Sequence, residues 1–216
     1  KRRERDLARK NEKLDAFTST VAHDLRNPLN VADGHLSVAR SERESEHLET
    51  VARSLVKMDD LLEDLLALAR TGDTIGDLTA VDLADVVEAS SSNVAATGAT
   101  LHVAESARLR CDPERLKEAM ENLLRNAAEH NEGSVRLTAG LLPDREGFYV
   151  ADDGEGIPAS ERERIFENGY TTLKQGTGFG LSIVSEIVDA HGWRIDARAA
   201  ESGGARFEVS GVEFVD

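Results

Sequence analysis

With 216 residues and 40% apolar side chains the chain can bury one large core or two modest ones, and with 4% aromatics it must pack them mostly from aliphatic residues. A formal charge of −15 excludes the ordinary nucleic-acid binder, whose Lys and Arg must neutralise phosphates; twenty of the 26 cations are Arg, which leans toward a salt-adapted surface, although a plainly solvated one accounts for the acidity too. One cysteine, Cys111, excludes an internal disulfide and fits a cytoplasmic setting, and no apolar run nears the roughly 20 residues of a membrane span, so no membrane contact is expected within this stretch.

The chain opens at Lys1, with neither Met nor a signal sequence, inside a charged helical pattern, and reads as a piece whose upstream portion lies elsewhere. Residues 1–40 are expected to form one long helix: Leu7, Leu14, Phe17, Val21, Leu25 and Pro28 step by sevens, threes and fours, a heptad-like seam flanked by charges. A polar turn over 41–46 leads to a second helix near 47–70, where Leu48, Val51, Leu55, Met58, Leu62, Leu65 and Ala69 alternate steps of three and four. Leu61, Leu66 and Leu68 widen that stripe beyond a two-stranded seam. One hairpin cannot cover so wide a stripe; two can, as a four-helix bundle, so a homodimer is expected.

Residues 71–80, with two glycines and no apolar period, read as a linker between the hairpin domain, 1–70, and a second domain, 81–216. In that second domain strand-like runs (100–103, 107–111, 134–142, 147–152, 193–199, 205–210) alternate with helical ones (82–97, 113–129, 179–190). The mixture predicts an α/β sandwich, helices layered on one face of a sheet, and places the whole chain in the α+β class.

His23 lies in the run FTSTVAHDLRNPLN, about 160–180° around the helix from Leu14 and from the Val21/Leu25 side, so its ring is expected to face away from the seam. That placement disfavours the bland alternative of a satisfied core histidine. With a reference pKa near 6.5, an exposed imidazole is largely neutral at pH 7 and can attack phosphorus through one ring nitrogen. Asp24 is adjacent and can accept or orient the proton on the other. Asn27 follows one turn later on the same face, where its amide can position a water or be a plain surface residue. Pro28 lacks an N–H and should bend the helix beside His23.

Further on, ERLKEAMENLLRNAAEH places Leu116, Met120, Leu123, Leu124 and Ala127 on one face and steps Glu118, Asn122, Asn126 and His130 by four along a polar stripe. Two Asn in mid-helix cost propensity that a merely solvated face has no reason to spend. An amide oxygen such as that of Asn126 suits Mg²⁺ beside phosphates. In YVADDGEGIP, Gly154 and Gly156 permit a sharp turn and leave room for a flat base, and Asp152 at the strand end can accept from an exocyclic amine such as that of adenine.

In GTGFGLSIV, Gly176, Gly178 and Gly180 precede an apolar helix whose bare N–H groups and dipole can hold phosphate. No strand feeds directly into these glycines, so they are not a dinucleotide fingerprint. Each glycine motif is weak on its own. The polar stretch IFENGYTTLKQ between them reads as a mobile lid, with Lys174 in reach of a phosphate.

Together these segments resemble the sensor histidine kinases of two-component signalling. FxxxVAHDLRNPL is similar to the family's histidine box, ENLLRNAAEH to its N box, DDGEGIP and GTGFGL to its two glycine boxes, and IFENGYTT to the short Phe-containing box between them. Order and spacing match over nearly the whole chain, and five boxes in register are specific where each alone is not.

The resemblance implies a Bergerat-type ATP-binding sandwich, ATP and Mg²⁺ as cofactors, and a partner response regulator whose receiver-domain aspartate takes the phosphoryl group. It implies that His23 is autophosphorylated, that Asp24 assists as base and that Asn27 serves a phosphatase activity. Asn126 would bind Mg²⁺ with Asn122 in support, and His130 lies where the family often places an adenine-stacking aromatic. Asp152 would read adenine, beside Gly154, Gly156 and Ile157 of the first glycine box. Gly176, Gly178, Phe179, Gly180 and Leu181 would line the phosphate and lid contacts. The full-length protein would be cytoplasmic or attached to a membrane through upstream segments.

Two positions depart from the family pattern. Glu129 stands where many members carry a basic residue near the phosphates, with Lys174 as a candidate substitute, and Phe179 replaces the more usual Leu. Two other classes compete. Another Bergerat-type ATPase leaves HDLRNP on a dimerising helix unexplained, and a nucleotide-binding signalling scaffold is at odds with the intact Asn126, Asp152 and glycine boxes; a nucleotide affinity separates the last two.

Overall fold

Apolar residues recurring every three or four positions set the helices of the N-terminal part, and alternating ones set the strands that follow. The computed structural model describes residues 25, 29–39, 46–69, 75–91, 99–131, 134–167, 169–172 and 177–215. The chain divides into two units, Lys1–Asp73 and Thr74–Asp216.

The first unit contains helix α1, described over 29–39, and helix α2 (Glu46–Ala69), within a residue of the expected 47–70 at each end. Leu36, Ala52 and Leu62 are buried, whereas Val31, Val38, Val51, Val56 and Met58 are 48–61% exposed. Val51 and Met58, members of the predicted stripe, therefore face solvent in the single chain. Leu7, Leu14, Phe17, Val21 and Pro28, with the expected bend, lie outside the described residues, as do His23, Asp24 and Asn27. Among the described residues no helix is long and apolar enough to cross a membrane.

In the second unit, β1 (Thr79–Asp82) pairs antiparallel with β3 (Arg108–Cys111), which pairs antiparallel with β8 (Phe214–Val215). The larger sheet is built from β2 (Thr100–Val103), β4 (Arg136–Leu141), β5 (Gly147–Asp152), β6 (Arg194–Ala199) and β7 (Ala205–Ser210), in the order β2-β4-β5-β7-β6. Only the β2–β4 pair in it is parallel. Period-two alternation turns Leu137 and Ala139, Phe148 and Val150, and Phe207 and Val209 inward.

Helices α3 (Leu83–Ala89), α4 (Pro113–Glu129) and α5 (Gly180–Ala190) supply the rest of the core, from Leu83 and Val87 through Leu116, Met120, Leu123 and Leu124 to Ile183, Val184 and Val188. Helices α4 and α5 pack against each other. Trp193 meets Phe148 edge to face at 6.2 Å.

Capping decides where two of these helices begin. The Asp82 carboxylate accepts from Ala84 N at 2.9 Å at the start of α3. The Asp112 carboxylate accepts from Glu114 N and Arg115 N at 3.1 and 3.2 Å at the start of α4, with Pro113 at the first position, where a missing N–H costs nothing.

Two expectations need correction, and one strand was missed. The helix read over 82–97 stops at Ala89. The Ser90 and Ser91 hydroxyls donate to the carbonyls of Val86 and Glu88, competing with the backbone for the acceptors that would extend it. Thr79 and Ala80, read as linker, already belong to β1, and the two-residue β8 carried no alternation long enough to be seen.

Candidate functional site

The α4 stripe, the loop after β5, the segment leading into α5 and the β6–β7 turn enclose a cavity of about 660 Å³ in the second unit. Nine of the predicted positions line it: Asn122, Asn126, His130, Asp152, Gly156, Ile157, Gly178, Gly180 and Leu181.

Asp152 ends β5 as one of four buried polar residues among those described. Its Oδ1 accepts from Gly154 N at 2.9 Å and from Ala205 N at 3.2 Å, and Ser202 Oγ donates to its backbone carbonyl at 3.0 Å. These bonds fix the carboxylate of a residue that lines the cavity, while Oδ2 takes no hydrogen bond from a described residue. A Cβ on Gly204 would meet the Asp152 carboxylate and carbonyl at 2.3 Å, so the turn reaches the aspartate only as glycine. Gly156, with φ +74°, approaches Gly203 O and Gly204 O in the same way. The glycines of the two loops thus let the backbones close around one carboxylate.

Along α4, the Asn126 side chain is half-buried, lines the cavity and makes no hydrogen bond to a described residue. Asn122 is different: buried, it donates through Nδ2 to Glu118 O at 2.9 Å and accepts at Oδ1 from Arg125 Nη2 at 2.6 Å. Its amide is already engaged within α4, which makes it a brace beside the start of α5. At the cavity rim, desolvation lowers the His130 imidazole below its usual 6.5, while the negative charge of Asp152 opposes the shift.

The start of α5 has a special geometry. Phe179 occupies the N-cap position without a side-chain cap bond, unlike Asp82 and Asp112 at α3 and α4. The first N–H groups of α5 therefore lack a capping side chain where Gly180 and Leu181 line the cavity. Gly178, at φ +77°, lies so close to Gly169 that a Cβ would meet its carbonyl carbon at 2.6 Å, and Gly169 N donates to Gly178 O at 3.0 Å.

Two predicted positions do not line the cavity. Gly154 instead makes room for Asn131: a Cβ there would overlap the Asn131 amide, whose Oδ1 accepts from Glu155 N at 3.1 Å. Phe179 contributes its backbone, and its carbonyl accepts from Ser182 Oγ at 2.8 Å. Lys174 and Gly176 lie outside the described residues. Sequence reasoning missed Asn131, Arg125, Arg162 and the Ser202–Ala205 turn. The Gly203–Gly204 pair between two strands was the available signal for the turn. Arg162, which donates to Ile157 O at 3.0 Å, had none.

Comparison with known proteins places this geometry. Residues 13–74 match the family model described as His Kinase A (phospho-acceptor) domain, and residues 111–213 match that of the histidine kinase-, DNA gyrase B- and HSP90-like ATPases. The chain belongs to the sensor histidine kinases. The alginate biosynthesis sensor protein KinB of Pseudomonas aeruginosa is 32% identical over 88% of the kinase chain and 36% of its own length. The sensor histidine kinase ZraS of Klebsiella oxytoca is 34% identical over 90% of the kinase chain and 45% of its own length. The kinase chain thus spans less than half the length of either relative. Among solved structures, full-length ShkA in complex with AMPPNP superposes with a TM-score of 0.63 at 28% identity, covering 93% of the kinase chain and 46% of that chain. The α+β architecture of the chain agrees with this membership, and the second unit is the part that matches the ATPase family model.

Proposed function

We propose that this kinase binds ATP in the cavity of its second unit, transfers the γ-phosphoryl group to His23, and passes it to an aspartate of a response-regulator receiver domain. One observation carries the proposal: a single cavity joins the fixed, buried carboxylate of Asp152 to the start of α5, which has no side-chain cap. The first suits an adenine amine and the second suits phosphates. The match of 13–74 to a phospho-acceptor domain supports His23 as the acceptor, since the HDLRNP run falls within it.

Asp152 Oδ2 accepts from the exocyclic amine, the glycine contacts keep the base slot flat, and the neutral ring of His130 offers a face at the rim. The N–H groups of Gly180 and Leu181 hold phosphate oxygens. A His23 ring nitrogen attacks the γ-phosphorus, the bond to the bridging oxygen breaks and ADP leaves. Asp24 takes or shares the proton of the other nitrogen. Catalysis is mainly positioning and charge stabilisation.

Mg²⁺ fits the same site: the half-buried Asn126 amide faces the cavity without a hydrogen-bond partner among the described residues. A hard oxygen of this kind, with phosphate oxygens and waters, is how Mg²⁺ is commonly held, and the ion would neutralise charge on the transferred group. Asn27 would position a water for hydrolysis of the phosphorylated receiver. The open stripe of Val51 and Met58 supports a homodimeric four-helix bundle.

The test uses ATP labelled at the γ-phosphate. His23→Gln should abolish labelling while nucleotide affinity stays within about twofold, the change expected of a group that touches only the transferred phosphoryl. Persistent labelling of that variant would remove His23 from its role. An unaltered protein that binds no nucleotide would remove the ATP reading as well.

A further inference from the structure

We propose that Asn131 is a positioning residue that sets the adenine side of this site against its magnesium side. The inference rests on the ATP reading above and adds a residue to it. The two groups that reading relies on stand on different elements, Asn126 on α4 and Asp152 at the end of β5. A nucleotide that meets both needs their separation held, and tertiary contacts rather than a shared element must hold it.

Asn131, just past the end of α4, spans that separation with one planar amide. Its Nδ2 donates to Ala127 O at 2.7 Å, and its Oδ1 accepts from Glu155 N at 3.1 Å. The partners fix which way the amide points, since a carbonyl needs its nitrogen and an N–H needs its oxygen. Ala127 follows Asn126 directly, and its carbonyl is among the terminal ones that a helix leaves without an intrahelical donor. A bond to that carbonyl alone would serve only the helix. The second bond reaches the loop after β5, which Gly154 N ties to Asp152 Oδ1 at 2.9 Å.

Close packing points the same way. A Cβ on Gly154 would lie 1.6 Å from Asn131 Oδ1 and 2.2 Å from its Cγ, so loop and amide meet with no room for a side chain between them. Asn131, Ala127 and Glu155 all line the cavity. The amide thus joins the stretch of α4 that carries Asn126 to the loop that follows Asp152, within the wall of the site. Its role is to fix where a base held at Asp152 delivers its phosphates relative to Asn126.

The test uses the full chain, Mg²⁺ and γ-labelled ATP, with rates taken per nucleotide-binding chain so that unfolded protein does not count. Asn131→Ala should lower the initial labelling rate at saturating ATP about ten- to a hundredfold, the scale of a displacement of about 1 Å at a reacting centre. ATP affinity should weaken less, about two- to tenfold, the scale of one lost hydrogen bond. Gly154→Ala should slow labelling to a similar extent, because its methyl group overlaps the amide. In the Asn131→Ala background, where that amide is gone, the same change should cost less than about twofold.

A full labelling rate for Asn131→Ala at saturating ATP would show that the amide caps α4 and positions nothing. Losses that multiply in the double variant would show that loop and amide act independently. Either result overturns the assignment of Asn131 and leaves the nucleotide site standing, whereas an unaltered protein that neither binds ATP nor labels overturns both.

Discussion

Cys111 shows how a residue's surroundings set its chemistry. Its side chain is fully buried at the end of β3, and burial first, then the neighbouring charge of Asp112, pushes the thiol up to about 12 from a usual 9.0. The thiolate is the reactive form, so the folded protein should resist a disulfide reagent at pH 8 and react once unfolded by denaturant. Rapid labelling of the native protein would contradict that burial. The sign for stability follows. A folded value above the unfolded one leaves stability unaffected below about pH 9, and costs stability as pH rises from there toward about 12, where the unfolded thiol ionises first. Around Asp152 the surroundings act through hydrogen bonds, two backbone N–H groups donating to one carboxylate oxygen.

Among the elements, α4 carries the most of both fold and site. Leu116, Met120, Leu123 and Leu124 bury one side, while Asn126 and His130 line the cavity on the other. Its start is held by Asp112, which caps two N–H groups through Oδ1 and accepts from Gly76 N at 2.9 Å through Oδ2. Asp112→Ala should cost about 0.5–2 kcal/mol, the range of a lost N-cap. It should be read as a lower urea midpoint with an unchanged m-value. An unchanged midpoint would mean that the cap contributes nothing. The α4 helix was legible because seventeen residues carry its period; α3 was overextended because its end depends on serine hydroxyls that choose between solvent and the backbone.

For the whole molecule, the exposed apolar stripe of α2 is the feature a single chain leaves unresolved. Val51 and Met58 are 48% and 50% exposed, and covering them between two copies would remove apolar area from water at roughly 25 cal/mol per Å². Replacing both by Glu places charges on that stripe and should convert the proposed dimer to a monomer by light scattering. Nucleotide affinity of the second unit should not change. A variant whose mass stays that of a dimer would remove this stripe from the interface.

The order of residues alone made legible the helices with long apolar periods, the strands with clean alternation, the family and nine of the residues that line the cavity. Those features are local: a periodicity, a motif or a glycine-rich turn is complete within a few tens of residues. It took the folded chain to show that Ser202–Ala205 fastens Asp152, that Asn131 fills the space left by Gly154, that Arg125 donates to Asn122 beside Gly180, and that β1 begins inside the expected linker. Each of these pairs groups through hydrogen bonds or close approaches that depend on how the chain folds back on itself. Side-chain chemistry names the possible partners, and packing geometry selects which of them meet.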